Sequence, residues 1–350
     1  MLLLLTPGFA AHENDHSCIP PLQLFARELL ARGVSLHIVA LEYPYTAQPY
    51  SWNGAQVYPC NGQNRRWLKP RTAWRADTFC HQILQKTDCT AIHSFWLGLS
   101  AVVGERVSRQ RQLPHLTTLM GQDVLPDNRR YLRALTPARC ERLVALSAFH
   151  AEAFQKSTWL QARHIIPWGT GEEQALIGSQ PPSAELDMLG VGSLVRVKNW
   201  EKWLRVVAQV AQTQTSLRAE LIGEGPERAH LEAFARQLGL IKHLHFTGAL
   251  PRSEVLRKMQ SSKVLLHTAD FESFGYVLAE AADMGCQVVS TPVGTAPEMG
   301  VACEGTEAAL AEQTIRFLKS PAKTAPVTRF TMRQTTDQYL HLYESFRSTP

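Results

Sequence analysis

The sequence predicts an α/β protein of two domains, and three observations carry that prediction. Short apolar runs alternate with amphipathic stretches of helical period, the pattern of strands covered by helices. The rhythm breaks once, at 169–186, a stretch rich in Gly, Ser, Pro and Gln that reads as a hinge, and then restarts. The 350 residues suffice for two domains that each bury a core.

In the first half, strands are expected at 1–6, 35–41, 91–94, 115–120, 143–146 and 163–167, and helices at 20–32, 75–86, 97–110 and 147–157. Gly33, directly after Leu29-Leu30-Ala31-Arg32, is a stop signal for the first helix. In the second half, Met188–Gly192 reads as a strand, 199–212 as a helix and Leu217–Ile222 as a strand. A helix at 226–238 is opened by Pro226 and closed by Gly239. Strands at 243–247 and 263–268, a helix at 276–284 and a strand at 287–290 follow. The last helix spans Thr331 to Phe346. Thr331 and Gln334 suit a capping box, and Met332, Tyr339, Leu342, Tyr343 and Phe346 line one face.

Composition narrows the function. Hydrophobic residues make up 45% and charged residues 19%, so the chain is neither disordered nor fibrous. No apolar run approaches the roughly 20 residues of a membrane-spanning helix. Met1-Leu2-Leu3-Leu4-Leu5 lacks the basic flank of a signal peptide and reads as a first buried strand. The seven cysteines are scattered, with no C-x-x-C pair, which predicts free thiols and a cytoplasmic location. Charge is unevenly shared. Residues 1–170 hold 18 Lys+Arg against 11 Asp+Glu, while residues 171–350 hold 18 against 20, so the first half is expected to meet something anionic.

The sharpest chemical signal is Phe271-Glu272-Ser273-Phe274-Gly275-Tyr276-Val277-Leu278-Ala279-Glu280. Two carboxylates flank a Phe-Gly turn that opens a helix. The helix N-terminus offers N–H groups and a positive dipole end to a diphosphate, and Gly275 permits close approach of the ligand to the backbone. Glu272, before the turn, can reach sugar hydroxyls, and Glu280, inside the helix, can accept both hydroxyls of a ribose. Read alone, the pair is equally compatible with two surface charges.

The surroundings decide between those readings. This segment resembles the E-x-F-G-x-x-x-x-E signature of glycosyltransferase family 4 (group 1), and the resemblance covers most of the chain. Val191-Gly192-Ser193-Leu194 through Lys198 resembles the family's G-x-L-x-x-x-K segment. Leu221-Ile222-Gly223-Glu224-Gly225-Pro226 is similar to its I-G-x-G-P turn, and His245-Phe246-Thr247-Gly248-Ala249-Leu250-Pro251 to its F-x-G-x-x-P stretch. Val289 through Pro297-Glu298, Gly121-Gln122-Asp123 and Ile166-Pro167-Trp168-Gly169 match further landmarks.

The resemblance implies a GT-B fold: two Rossmann-like domains facing across a cleft, the last helix crossing back to the first. It implies a retaining, metal-independent transfer of a hexose from a nucleotide diphosphate sugar to a glycan or glycolipid. Cell-surface polysaccharide or lipopolysaccharide synthesis is the expected setting. Glu272, Lys198 and Asp123 are the catalytic candidates. Donor contacts are expected from Arg196, Gly223, Leu250, Ser273, Phe274, Gly275, Tyr276, Val277 and Glu280, with Gly8 approaching the phosphates from the first half. No cofactor is expected besides the donor. Without a metal, the leaving diphosphate needs protein cations, which Lys198 and Arg196 supply.

Two departures stand out: Ser193 where many members carry Arg, and Met120 where many carry His. They keep open a catalytically silent scaffold or partner subunit of another transferase. An epimerase on the same fold is a lesser alternative. A nicotinamide dehydrogenase is disfavoured because no G-x-G-x-x-G follows Leu2–Thr6 or Met188–Gly192.

Two other stretches carry chemistry. His12, Glu13, Asp15, His16 and Cys18 resemble a metal cluster in composition but not in spacing, so a polar or acceptor-side loop is the stronger reading. Arg65 to Arg75 interleaves five cations with Trp67 and Trp74, which suits an anionic membrane surface or polyanionic glycolipid, or else a solvated basic face over core tryptophans. No nucleic-acid-binding motif accompanies it, so nucleic acid is not an expected partner.

Overall fold

A computed structural model describes residues 1–16, 18–171, 186–320 and 328–346, so most of the expected hinge (172–185) lies outside the described residues. The chain divides into two compact units: Met1–Gly169 with Thr331–Pro350, and Thr170–Phe330.

Unit 1 begins with β1 (Leu2–Gly8), α1 (Pro20–Ala31) and β2 (Leu36–Tyr43). A hairpin that the alternation does not reveal follows, β3 (Tyr50–Trp52) and β4 (Ala55–Pro59). Its signal is Asn53-Gly54, whose φ values of 46° and 93° meet the requirement of a two-residue hairpin turn. Then come α2 (Lys69–Leu84), β5 (Ala91–Phe95), α3 (Leu99–Arg111), β6 (His115–Thr118), α4 (Arg129–Leu132), α5 (Pro137–Cys140), β7 (Leu143–Ala145), α6 (Ala148–Thr158) and β8 (His164–Ile165). The sheet order is β3-β4-β2-β1-β5-β6-β7-β8. All described pairings are parallel except β3 with β4. Gly33 ends α1 in the left-handed region at φ 75°, as its position in the sequence requires.

Unit 2 contains β9 (Leu186–Val191), α7 (Trp200–Thr213), β10 (Ala219–Ile222), α8 (Arg228–Gln237) and β11 (Leu244–Gly248). These are followed by α9 (Arg252–Ser261), β12 (Ser262–His267), α10 (Tyr276–Asp283), β13 (Gln287–Ser290), α11 (Ala296–Met299), β14 (Ala302–Cys303) and α12 (Glu307–Lys319). The sheet is parallel, in the order β11-β10-β9-β12-β13-β14. Its core gathers Met188, Leu221, Val264, Leu266 and Val289 beneath Trp203, Leu204 and Val207 of α7. Gly190 makes room for that packing, because a Cβ there would stand 2.8 Å from the Trp203 ring. Pro226 does not open α8. It lies in the preceding turn, where Glu227 N–H donates to Leu194 O at 3.1 Å, and the helix starts only at Arg228. Helices α9 and α12 are not among the elements expected from the sequence, although α12 carries an apolar stripe of Leu310, Ala311, Ile315 and Leu318 that packs on the core.

The last helix, α13 (Met332–Ser345), belongs to unit 1 and packs on α1. The capping box forms as the sequence indicates, with Thr331 accepting from Gln334 N–H and the Gln334 side chain accepting from Thr331 N–H. Tyr339 and Tyr343 are buried against Phe25, His93 and Trp168. His93 Nδ1 lies 2.6 Å from the Tyr343 hydroxyl and its Nε2 2.8 Å from Thr118 Oγ1, which is 2.8 Å from the Tyr339 hydroxyl. Burial holds the His93 imidazole well below its usual pKa and both phenols above theirs, so the network stays uncharged.

Candidate functional site

In unit 2 the chain winds outward from β9 through β10 to β11, then returns to the other side of β9 and continues through β12, β13 and β14. The strand order therefore reverses between β9 and β12. The carboxyl ends of two strands at such a reversal diverge and leave a crevice, the usual place for a ligand in an open α/β sheet. Lys198 follows β9 and Glu272 follows β12, so the two charges strongest in the sequence meet at this point.

Backbone bonds fix their meeting. Asp270 N–H donates to Val197 O at 2.9 Å, Asn199 Nδ2 donates to Asp270 Oδ1 at 2.9 Å, and Thr268 Oγ1 donates to Asn199 O at 3.1 Å. Asn199 sits at φ 49° and its side chain caps α7 by accepting from Lys202 N–H. Lys198 Nζ consequently pairs with Glu272 Oε1, and His267 Nε2 at the end of β12 lies 3.1 Å from the same oxygen. Burial opposes charge on Glu272, but the His267 ring and the Lys198 ammonium overcome it and hold the carboxyl down at about 2. The result is an ionised, half-enclosed carboxylate with a cation beside it.

Glu280 stands about one turn into α10, 7% exposed, with Arg252 Nη1 2.6 Å from its Oε1. Arg252 opens α9 and also lies over the Tyr276 ring, 5.5 Å from its centroid. This contact brings the 249–251 loop, and with it Leu250, towards the far end of the Glu272–Glu280 segment. Gly275 caps α10 at φ 83° with no side-chain cap, which leaves the dipole end to the backbone alone. Phe274 is buried against Phe330 and Tyr276, and its carbonyl accepts from Thr295 N–H and Thr295 Oγ1, both at 2.8 Å. Ser273, Tyr276 and Val277 are half-buried around this turn.

Gly223 has a geometric reason to be glycine. Its φ is 148°, and a Cβ would stand 1.9 Å from Gly192 O, so the turns after β9 and β10 touch backbone to backbone. Arg196 shares the Lys198 turn but remains exposed, with no ion pair among the described residues, so Glu272 is paired by Lys198 rather than by Arg196. Ser193 is exposed and its carbonyl accepts the Trp200 indole N–H at 2.9 Å. His267 and Arg252 are site residues that the sequence reading misses. His267 reads simply as a strand residue, and Arg252 falls in a stretch where no helix is expected.

The remaining expected site residues lie in unit 1. Asp123 does not present a free carboxylate. Its oxygens accept from Leu97 N–H at 2.8 Å, Gly121 N–H at 2.7 Å and Met120 N–H at 3.2 Å, so it staples the loop after β6 to the loop after β5. Burial pushes its carboxyl up to about 6 against those three donors. Engaged by three amides, Asp123 is an organiser of its loop. His150, buried, supports the same loop from beneath, its Nε2 3.1 Å from Gly121 O. Gly8 ends β1 paired with Tyr43 of β2, and a Cβ there would stand 3.0 Å from Cys18 Sγ. In the loop beyond, Asp15 accepts from Ala11 N–H and the Tyr43 hydroxyl, both at 2.9 Å, and thus braces the loop. Among the described residues no group of three His, Cys, Asp or Glu side chains could hold a metal ion.

The expectation of core tryptophans in the basic stretch is overturned. Trp67 is 71% exposed and Trp74 67%. Seven residues apart on a contiguous helical segment, they share a face with Arg71 between them, while Lys69 pairs with Glu42 and Arg65 lies over the Trp67 ring. Among the described residues no helix is long and apolar enough to cross a membrane.

The molecule is built of two doubly wound α/β units, one of which carries a Lys–Glu pair and a glycine-lined turn at the strand reversal of its parallel sheet. Residues 176–327 match the family of glycosyl transferases group 1. Among curated proteins, 2-deoxystreptamine glucosyltransferase of Streptomyces kanamyceticus is 31% identical over 140 residues, 38% of this chain and 36% of that protein. N-acetyl-alpha-D-glucosaminyl L-malate synthase of Bacillus anthracis is 32% identical over 142 residues, 36% of this chain and 36% of that one. The chain thus spans about a third of the length of these relatives. Among solved structures, HepE of Anabaena in complex with UDP and glucose superposes with a TM-score of 0.75 at 17% identity, covering 99% of this chain and 100% of that one. The fold is GT-B.

Proposed function

We propose that this protein is a retaining, family 4-type glycosyltransferase that moves a hexose from a nucleotide diphosphate sugar onto a glycan or lipid-linked acceptor. The observation that carries the reading is the Lys198–Glu272–His267 cluster at the strand reversal of unit 2. Two relatives whose names carry glucosyl and N-acetylglucosaminyl groups, and a neighbour solved with UDP and glucose, support the donor class.

In this mechanism the diphosphate lies at the Gly275 end of α10 with Lys198 and Arg196 offsetting its charge, so that charge stabilisation needs no metal. Glu280 takes the ribose hydroxyls, with Arg252 keeping its carboxylate oriented. Glu272 positions the sugar. The bond from the anomeric carbon to the diphosphate breaks as the acceptor oxygen bonds to that carbon on the same face. The acceptor proton passes to the departing phosphate oxygen, and no covalent glycosyl-enzyme forms. Asp123 acts on the acceptor side by holding the 120–123 loop.

The test is a panel of UDP-, GDP- and ADP-sugars scored by thermal shift and by slow donor hydrolysis. Stabilisation by one nucleotide family, lost in Glu280→Ala, with hydrolysis lost in Glu272→Ala, is the expected result. Failure of every nucleotide sugar to bind the wild type refutes the reading. It would leave the silent scaffold or partner subunit, which Met120 favours.

The exposed Trp67–Arg71–Trp74 stripe further supports a peripheral contact with anionic lipid at the cytoplasmic face, consistent with a lipid-linked acceptor in cell-surface polysaccharide synthesis. Co-sedimentation with phosphatidylglycerol vesicles, lost in Trp67→Ala/Trp74→Ala, is expected. Equal sedimentation of the variant rejects the contact.

A further inference from the structure

Unit 1 contains a cavity of about 330 Å³ between α3 and the 135–143 segment, within the range of small-molecule sites. Leu97, Ala101, Leu135 and Leu143 give it an apolar wall, and Arg109, Arg139 and Arg142 converge on it. Glu105 is its one lining carboxylate, accepting from Arg109 Nε at 2.8 Å and lying 3.6 Å from Arg139 Nε. Arg142 has no carboxylate partner among the described residues and rests 5.6 Å from the centre of the Phe346 ring.

Behind Glu105, His115 Nδ1 lies 3.2 Å from its Oε2, and His115 Nε2 lies 2.9 Å from Ser94 Oγ. This chain has the order of a hydrolytic triad but not the access. Ser94 is fully buried, and Gly104 passes so close that a Cβ there would stand 2.3 Å from its hydroxyl. The chain therefore fixes Glu105, which in turn holds two of the arginines in place at the cavity. The hydrogen bond from His115 keeps the Glu105 carboxyl ionised, down at about 2, against its burial and with help from Arg139.

Three arginines against one carboxylate leave the cavity about two positive charges in excess, matching a phosphate monoester of about −1.5 to −2. Guanidinium forks bind phosphate with two parallel bonds, and an arginine already paired to a carboxylate keeps further donors free. The cavity also touches the Asp123 loop, since Leu97 lines it and donates to Asp123.

We infer that this cavity is a second anion site of the protein, which takes a phosphate monoester with an apolar body and lies in a different unit from the donor site. The inference stands independently of the transferase reading.

The experiment uses the full chain. Arginines are modified with phenylglyoxal and mapped by mass spectrometry with and without phenyl phosphate, inorganic phosphate or phosphatidylglycerol vesicles. Phenyl phosphate is expected to protect Arg139 and Arg142 but not Arg71, and inorganic phosphate to protect less because it leaves the apolar wall unfilled. By calorimetry, Arg142→Gln should weaken phenyl phosphate at least tenfold. Lys156→Gln, the same charge change on a distant surface, should leave its affinity unaltered. The inference is overturned if protection is equal at Arg71, if Arg142→Gln and Lys156→Gln behave alike, or if only vesicles protect Arg139 and Arg142. Because footprinting is done on the wild type, a folding defect in Arg142→Gln leaves the test intact.

Discussion

Replacing Glu272 by Gln removes a strongly depressed carboxyl of unit 2 while keeping its shape. In the folded protein this carboxyl titrates at about 2, against 4.5 for an ordinary glutamate. A depressed folded pKa means that the unfolded chain takes up the proton first, so the stabilisation is present above the unfolded value and is lost as pH falls towards the folded one. The full difference is worth about 3 kcal/mol at about 1.4 kcal/mol per pH unit, and about 2 kcal/mol of it is lost between pH 7 and pH 3. The assay is urea unfolding of wild type and Glu272→Gln at both pH values, followed by tryptophan fluorescence, to which the buried Trp200 and Trp203 of unit 2 contribute. Wild type should lose about 2 kcal/mol more than the variant on acidification. Lys198→Met should show an intermediate slope, because His267 still faces the carboxylate at 3.1 Å. Equal slopes in wild type and Glu272→Gln would refute the reasoning, for they would mean that the pair is solvated and exerts no hold on the proton.

Three further outcomes follow from the geometry. Gly223→Ala must separate two turns whose Cβ–O distance would be 1.9 Å, and it endangers the Gly192 N–H to Ile222 O and Gly223 N–H to Gly248 O bonds. It should cost about 3–5 kcal/mol from two lost bonds plus backbone strain, whereas Gly239→Ala, also at positive φ (73°) but with nothing near its Cβ, should cost only about 1–2. Chemical denaturation decides, and equal costs would exclude the backbone contact. Tyr343→Phe leaves His93 Nδ1 buried without its partner and should destabilise unit 1 by about 1–3 kcal/mol, read as a lowered melting temperature. Asp123→Asn turns one acceptor into a donor facing backbone N–H groups, so the Leu97 and Gly121 amides should exchange with solvent at least tenfold faster; unchanged exchange would return Asp123 to a substrate-facing role.

The strand–helix alternation, the turn at Gly33, the capped last helix and the Glu272–Gly275–Glu280 segment are all legible in the sequence. Each is a local consequence of residue type: an apolar period, a left-handed glycine, a reciprocal cap, or a glycine that opens a helix. Lys198 is legible by resemblance, but its partner is not. The pairing of Lys198 with Glu272 depends on the strand order that sets β9 beside β12, which lie more than 70 residues apart in the chain. His267 and Arg252 are silent for the same reason, since a histidine ending a strand and an arginine opening a helix acquire meaning only from what stands opposite. Trp67 and Trp74 show the reverse case, because composition invites burial and only the packing of α2 against the sheet leaves them outside. Asp123 carries the same lesson: a carboxylate is a ligand or a staple according to whether backbone amides reach it first. The sequence by itself determined most of the strands and helices and the residue types they carry. The tertiary structure alone decided which charges face each other, because pairing across a sheet is set by topology and not by distance along the chain.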